Sequence, residues 1–298
     1  MKKDLVFIAS GGRTGTKFFG EMLKTIIDDC WSEHESDVVT DDLAKTLPRI
    51  RRFGWWHMIF GRLAGVSGLR PLGHRLLTGS LREEECVHRL RQQRAKYHAE
   101  IQEPLVIESS GRWWMFAGRI HRIWPGAKTI GIIRDPRDWV ESWRRHQPLR
   151  HARTWFGWFP LGALTPRAVE DFDWTDRWSE LNQFGRLAWD WRTIYGQLDH
   201  AVAEAPDVRL FRFEDLFGPD DSTVRELVTF AADHGERRYH VRDLAGFTAT
   251  VRNASKGPRR GWRDWPAEDA HLLDALCGPL MRKYGYGMEP EWQAMLKR

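Results

Sequence analysis

Cysteine is scarce in this chain of 298 residues: Cys30, Cys86 and Cys277 lie far apart and form no CxxC pair. That spacing excludes a disulfide framework and the common zinc patterns, and a reducing cytoplasm is the natural setting. Long uncharged apolar runs are missing as well. The start, MKKDLVFIAS, has too brief an apolar run for a signal peptide, and no later window has the length of a membrane helix, so a soluble enzyme is expected. No internal repeat and no low-complexity linker divides the chain, which favours one domain over residues 1–298. A large charge excess is also absent, since 46 Lys and Arg face 41 Asp and Glu for a net charge of +5. Without a long basic stripe, a nucleic-acid partner is not expected.

What the chain does have is organised around Leu5 to Phe19, LVFIASGGRTGTKFF. An apolar run ends at Ser10, two glycines follow, and helix-compatible residues resume at Phe18: a strand, a phosphate-cradling loop and a helix. Glycines allow the sharp turn that brings N–H groups up to an anion, and the helix start adds partial positive charge. Arg13, Thr14, Thr16 and Lys17 supply further donors. The spacing predicts a first helix from about Gly15 to Asp29, and a second strand with its exit loop fits CWSEHESDVV. Residues 41–103 read as a variable, mostly helical insertion or lid, with a helix across Leu81 to Ile101.

Further strands are expected at LVIESS (Leu105 to Ser110), KTIGIIR (Lys128 to Arg134) and VRLFRFEDL (Val208 to Leu216), and helices around Asp176 to Glu204 and Ala267 to Lys283. Alternating strands and helices predict an α/β fold with a central parallel sheet and helices on both faces, its ligand site at the carboxyl ends of the strands. In RDPRDWVESWRRH, Asp135 suits a helix N-cap and Pro136 the first helical position, while Val140 and Trp143 fit a core-facing stripe. Arg134 and Ser142 are placed to reach one anion from two sides. Glu214 and Asp215 at a strand exit are read as structural before catalytic. Near the end, ASKGPRRGWRDWP forms a basic loop broken by Gly257, Pro258 and Gly261.

Taken in order, GGRTGTKFF, IIRDPRDWVESW, RLFRFEDL and KGPRRGWRDW resemble the sulfotransferase superfamily, whose members move a sulfuryl group from 3'-phosphoadenosine 5'-phosphosulfate (PAPS) to an acceptor. The resemblance spans nearly the whole chain outside residues 41–103. It implies a nucleoside-kinase-like P-loop fold, PAPS as donor, adenosine 3',5'-bisphosphate as product and no metal. The first loop, Gly12, Arg13, Thr14, Gly15, Thr16 and Lys17, corresponds to the 5'-phosphosulfate site, with Arg13 the basic residue at the bridging oxygen. Lys17 stands where Ser or Thr is frequent, and Phe18 where some members carry a Trp near the adenine. Arg134 and Ser142 match the Arg and Ser, eight residues apart, that hold the 3'-phosphate. In the late loop Lys256, Gly257, Arg259, Arg260 and Gly261 match a basic and glycine pattern, with the base that meets the phosphate left open.

For a general base the resemblance points to the exit of the second strand, where Glu33, His34 and Glu35 stand and Glu35 is the first choice. Glu108, Ser109 and Ser110 replace a His carried by another branch, which favours a carbohydrate or related acceptor over a phenol or steroid: a hydroxylated glycan, glycolipid or small metabolite. Trp55, Trp56, Trp113, Trp114, Trp155 and Trp158 are candidates for stacking on sugar faces. The rival enzyme is a P-loop kinase using ATP, but Lys17 is followed by Phe18 instead of a magnesium-holding hydroxyl. The remaining alternative is a protein of the same fold that binds nucleotide without turnover. Nothing in the sequence speaks to oligomeric state.

Overall fold

A computed structural model describes residues 2–39, 43–146, 164–247 and 261–298. Five parallel strands form the central sheet: β1 (Asp4–Ser10), β2 (Cys30–His34), β3 (Leu105–Ser109), β4 (Lys128–Ile133) and β5 (Val208–Arg212), in the order β2-β3-β1-β4-β5. β1 is central, pairing with β3 through Ile8↔Ser109 and with β4 through Ser10↔Ile132. The strands read as continuous apolar runs because both faces are covered. Leu5, Phe7 and Ala9 enter one buried cluster and Val6 and Ile8 the other, the alternation expected of a pleated strand.

On the second face lie α1 (Thr16–Ile26) and, later in the chain, α7 (Ser222–Ala232). The first face is covered by α3 (Leu69–Leu77), α4 (Glu83–Glu100), α6 (Gln183–Glu204) and α8 (Ala267–Lys283), with Trp113 and Phe116 between β3 and β4. Residues 43–103 are largely helical as expected, with α2 (Leu43–Phe53) and a π-helical turn at Trp56–Phe60 preceding α3. They form the crossover from β2 to β3, and Leu72, Leu90 and Tyr97 from this stretch belong to the main core. α5 (Pro136–His146) starts at the exit of β4, with Asp135 Oδ1 accepting from the Arg137 N–H at 2.9 Å as the capping reading requires.

The helix expected over residues 176–204 begins only at Gln183. Asn182 caps it by accepting from the Gly185 N–H at 3.0 Å, and a short 3-10 turn occupies Asp176–Ser179.

Candidate functional site

Between β1 and α1 the chain turns through three left-handed residues, Gly12 (φ 75°), Arg13 (φ 59°) and Gly15 (φ 76°). Glycine is required twice over. A Cβ on Gly12 would lie 3.0 Å from Trp143 Cζ2, and one on Gly15 would lie 2.8 Å from the Phe217 ring. The loop is therefore held between aromatic walls, with the Trp139 indole N–H donating to the Gly12 carbonyl at 3.0 Å and the Gly11 N–H to Tyr195 Oη at 3.3 Å. Gly15 is the cap residue of α1 and, as a glycine, gives that helix no side-chain cap. Thr14 is fully buried, and its Oγ1 has no hydrogen-bond partner among the described residues. Buried polar atoms are rarely left so, and this one lies within a turn whose N–H groups suit an anion.

The exit of β4 and the helix α5 that follows it, far along the chain, converge on Arg13. Its Nε–H donates to Ser142 Oγ at 3.1 Å, and Arg134 Nη1 donates to its carbonyl at 3.0 Å. Burial, and then the charges of Arg134 and Arg145, push the Arg13 pKa down from the usual guanidinium value. Like charges gathered in this way are relieved by an anion among them. Arg134 and Ser142 thus both bond to Arg13 of the glycine loop.

The other expected residues distribute unevenly. Lys17 projects along the solvent side of α1 toward Glu21, 3.9 Å away, so that its amine is no part of the loop. Phe18 is 5% exposed and packs edge-on against Phe19, Phe217 and Phe247. The geometry makes it a core residue and does not support adenine stacking. Gly261 opens a short 3-10 turn at Trp262–Asp264, whereas Lys256, Gly257, Arg259 and Arg260 lie outside the described residues. Trp113 and Trp114 are buried, Trp55 and Trp56 are exposed, and Trp155 and Trp158 lie outside the described residues.

The structure separates the three base candidates. Glu33, on β2, accepts from Tyr97 Oη at 3.1 Å and pairs with Arg52 at 3.2 Å. His34, on the opposite face, sits beside Gly20 of α1, and burial lowers its pKa. Glu35 lies just past the strand with φ 50°, its N–H donating to the Ser109 carbonyl at 2.8 Å and its carboxylate 3.3 Å from Arg112 Nη1. Arg112 follows Gly111, where an added Cβ would lie 3.4 Å from the Gly12 nitrogen. The exits of β1, β2 and β3 thus share one rim, and Glu35 stands on it.

Glu214 has the structural role expected of it: its carboxylate accepts from the Asp135 N–H at 3.1 Å and from Tyr286 Oη at 2.6 Å, and burial raises its pKa. It steadies the turn that carries Arg134. Sequence reasoning missed Trp139, Tyr195 and Arg112 around the loop. Trp139 had a readable signal, since it stands four residues before Trp143 on the apolar stripe of α5. Behind the rim, Glu108 and Asp37 are buried and bridged by Arg94, at 3.0 Å and 3.2 Å. Among the described residues no cluster of three or more His, Cys, Asp or Glu side chains could hold a metal ion, and no helix is long and apolar enough to cross a membrane.

No family profile and no curated protein matches the chain. Solved structures that are similar along nearly its full length include two sulfotransferases. A sulfotransferase from Alicyclobacillus acidocaldarius is 16% identical, with 93% of this chain and 97% of that one covered and a TM-score of 0.43. The sulfotransferase domain from the curacin biosynthetic pathway is 14% identical, with 99% and 96% covered and a TM-score of 0.36.

Proposed function

We propose that the chain is a sulfotransferase that takes a sulfuryl group from PAPS and passes it to an acceptor hydroxyl, on a glycan, a glycolipid or a related metabolite. The observation that carries this reading is the meeting of Arg13, Arg134 and Ser142 at a left-handed turn with an orphaned buried hydroxyl, Thr14 Oγ1. The donor set is all N–H, O–H and guanidinium, which fits the phosphates of such a donor. When bound, the donor supplies a sulfuryl group on a phosphate leaving group.

The residues divide the work. N–H groups at the start of α1, the Thr14 hydroxyl and the Arg13 guanidinium stabilise charge growing on the leaving oxygen, an effect worth about 3 kcal/mol for a well-placed donor. Arg134 and Ser142 hold the second phosphate, and that remote binding energy orients the reacting end. Glu35 on the rim takes the proton of the acceptor hydroxyl. The basic residues of the 256–260 stretch complete the grip on the nucleotide. No role for a metal is needed in this assignment.

Calorimetric titration with adenosine 3',5'-bisphosphate and, separately, with ATP plus magnesium tests it. Tight binding of the bisphosphate, weakened about tenfold or more in Arg134→Ala, is expected for the loss of a charged hydrogen-bonding group. A preference for magnesium ATP would overturn the reading in favour of a kinase.

A further inference from the structure

The described residues expose ten large apolar side chains, and seven of them, from Val39 to Leu63, fall in one stretch of 25 residues. Leu43, Leu47 and Arg51 follow one another at i, i+4 spacing on α2, which ends at Phe53 before a left-handed Gly54 (φ 84°). Beyond that break Trp56 and Phe60 stand one turn apart, with stacked rings 6.3 Å apart. Trp55 and Trp56 are 58% and 66% exposed, unusual for indoles that a folded core would otherwise hold. The same region is one-sided in charge. Residues 43–82 contain eight Lys and Arg and no Asp or Glu, more than the whole chain's excess of +5. Arg52 pairs with Glu33 and Glu100 and Arg62 with Asp37, whereas among the described residues Arg49 and Arg75 bond to backbone carbonyls and Arg51 is exposed.

We infer that the face formed by α2 and the Trp56–Phe60 turn docks on an anionic lipid surface. An exposed run of Trp, Phe and Leu flanked by arginines is the composition of an interfacial helix, in which apolar side chains enter the acyl boundary and cations meet anionic headgroups. The charge pattern chooses this occupant over a second copy of the chain, because residues 43–82 bring eight cations and no carboxylate of their own, and a two-fold contact would set that excess against itself. The docking face is tied to the candidate site: Arg49 donates to the carbonyls of His34 and Val38, and Arg52 pairs with Glu33, on either side of Glu35. Under the transfer reading above this presents the acceptor end of the site to lipid, but the docking itself does not rest on that reading.

Sedimentation with vesicles tests it, using pure phosphatidylcholine and an equal mixture of phosphatidylcholine and phosphatidylglycerol. The intact protein is expected to sediment with the anionic vesicles, much less with the neutral ones, and to be released by raised salt. Trp55→Ser, Trp56→Ser and Phe60→Ser combined should lower binding about tenfold or more, and Arg51→Glu alone should lower it by a smaller factor. Both variants should keep wild-type affinity for adenosine 3',5'-bisphosphate, which separates loss of docking from loss of fold and from failure of the transfer reading. Binding that is equal on both vesicles or unaffected by the triple substitution would overturn the inference. So would a dimer in light scattering that the triple substitution dissolves while vesicle binding is absent.

Discussion

Glu35 has an uncommon backbone for a glutamate, φ 50°, just beyond the end of β2. A left-handed turn at a non-glycine residue costs of order 1 kcal/mol and persists where neighbours over-determine it. Here the Glu35 N–H is held by the Ser109 carbonyl and the carboxylate by Arg112, which ties the side chain to the segment packed against the glycine loop. Glu33 and His34, on either face of the strand, lack that position. Glu35→Gln keeps the shape and removes the proton acceptor. It should lower kcat by about 10²- to 10⁴-fold while leaving affinity for adenosine 3',5'-bisphosphate unchanged. Steady-state assay of sulfuryl transfer alongside calorimetry checks both halves, and full activity in Glu35→Gln would move the base elsewhere on the rim.

At the scale of elements, the rim depends on a buried charge network between the exit of β2, β3 and the crossover helices. Burial alone would raise the Asp37 pKa, but Arg94, the hydrogen bond with His57 and Arg62 outweigh it and hold the carboxyl well below its ordinary value. Arg94 also reaches Glu108, which meets His98 at 2.7 Å and accepts from Ser36 Oγ at 3.2 Å. A carboxylate with a depressed folded pKa contributes its stability above the unfolded value, near pH 4, and loses it as pH falls through the folded value. Asp37→Asn should therefore be less stable than wild type at pH 7 by about 3 kcal/mol, because Arg94 is left partly uncompensated. The gap should narrow on acidification below about pH 4, where the carboxyl of the unfolded chain takes up a proton while the folded one still resists it. Denaturant midpoints of the two proteins over that range measure it, and a gap that does not depend on pH would mean the aspartate is not held as an anion.

This network also marks where the sequence stops being readable. The strands were legible because a parallel strand buried on both faces is a short apolar run, and the glycine loop because its turn admits few residue types. Arg134 and Ser142 were legible as a pair because they stand two turns apart around one helix start. By contrast, 57 residues separate Asp37 from Arg94, and no local period connects them. Arg94 even lies on a helix rich in exposed charge, so that its burial at 1% follows only from the crossover it packs under. Phe18 misled for the converse reason: its place in the motif was right, while Phe217 and Phe247, supplied from far along the chain, turned it into core.

Over the whole molecule, a buried cation helps to join the C-terminal segment to the site. Arg137, in the first turn of α5 and 1% exposed, pairs with Asp135 at 2.5 Å and with Glu289 at 2.6 Å. Its guanidinium also lies over the rings of Trp262 and Trp292, 4.4 Å and 5.1 Å from their centroids. Asp135 is the cap of α5 and the neighbour of Arg134, and Glu289 is 152 residues away from Arg137 in sequence. The contact therefore fixes where β4 ends and α5 begins by closing the chain's far end over it. Removing the cation strands a buried carboxylate at Asp135, so Arg137→Met should cost about 3–5 kcal/mol. It should also weaken bisphosphate binding beyond that loss of fold, because Arg134 and Ser142 flank the turn it steadies. Glu289→Gln, at a carboxylate 38% exposed, should cost far less stability. Chemical unfolding paired with calorimetry under conditions where each variant is folded separates the two effects. An Arg137→Met protein that binds the bisphosphate like wild type would show that the α5 turn holds its place without the C-terminal clamp.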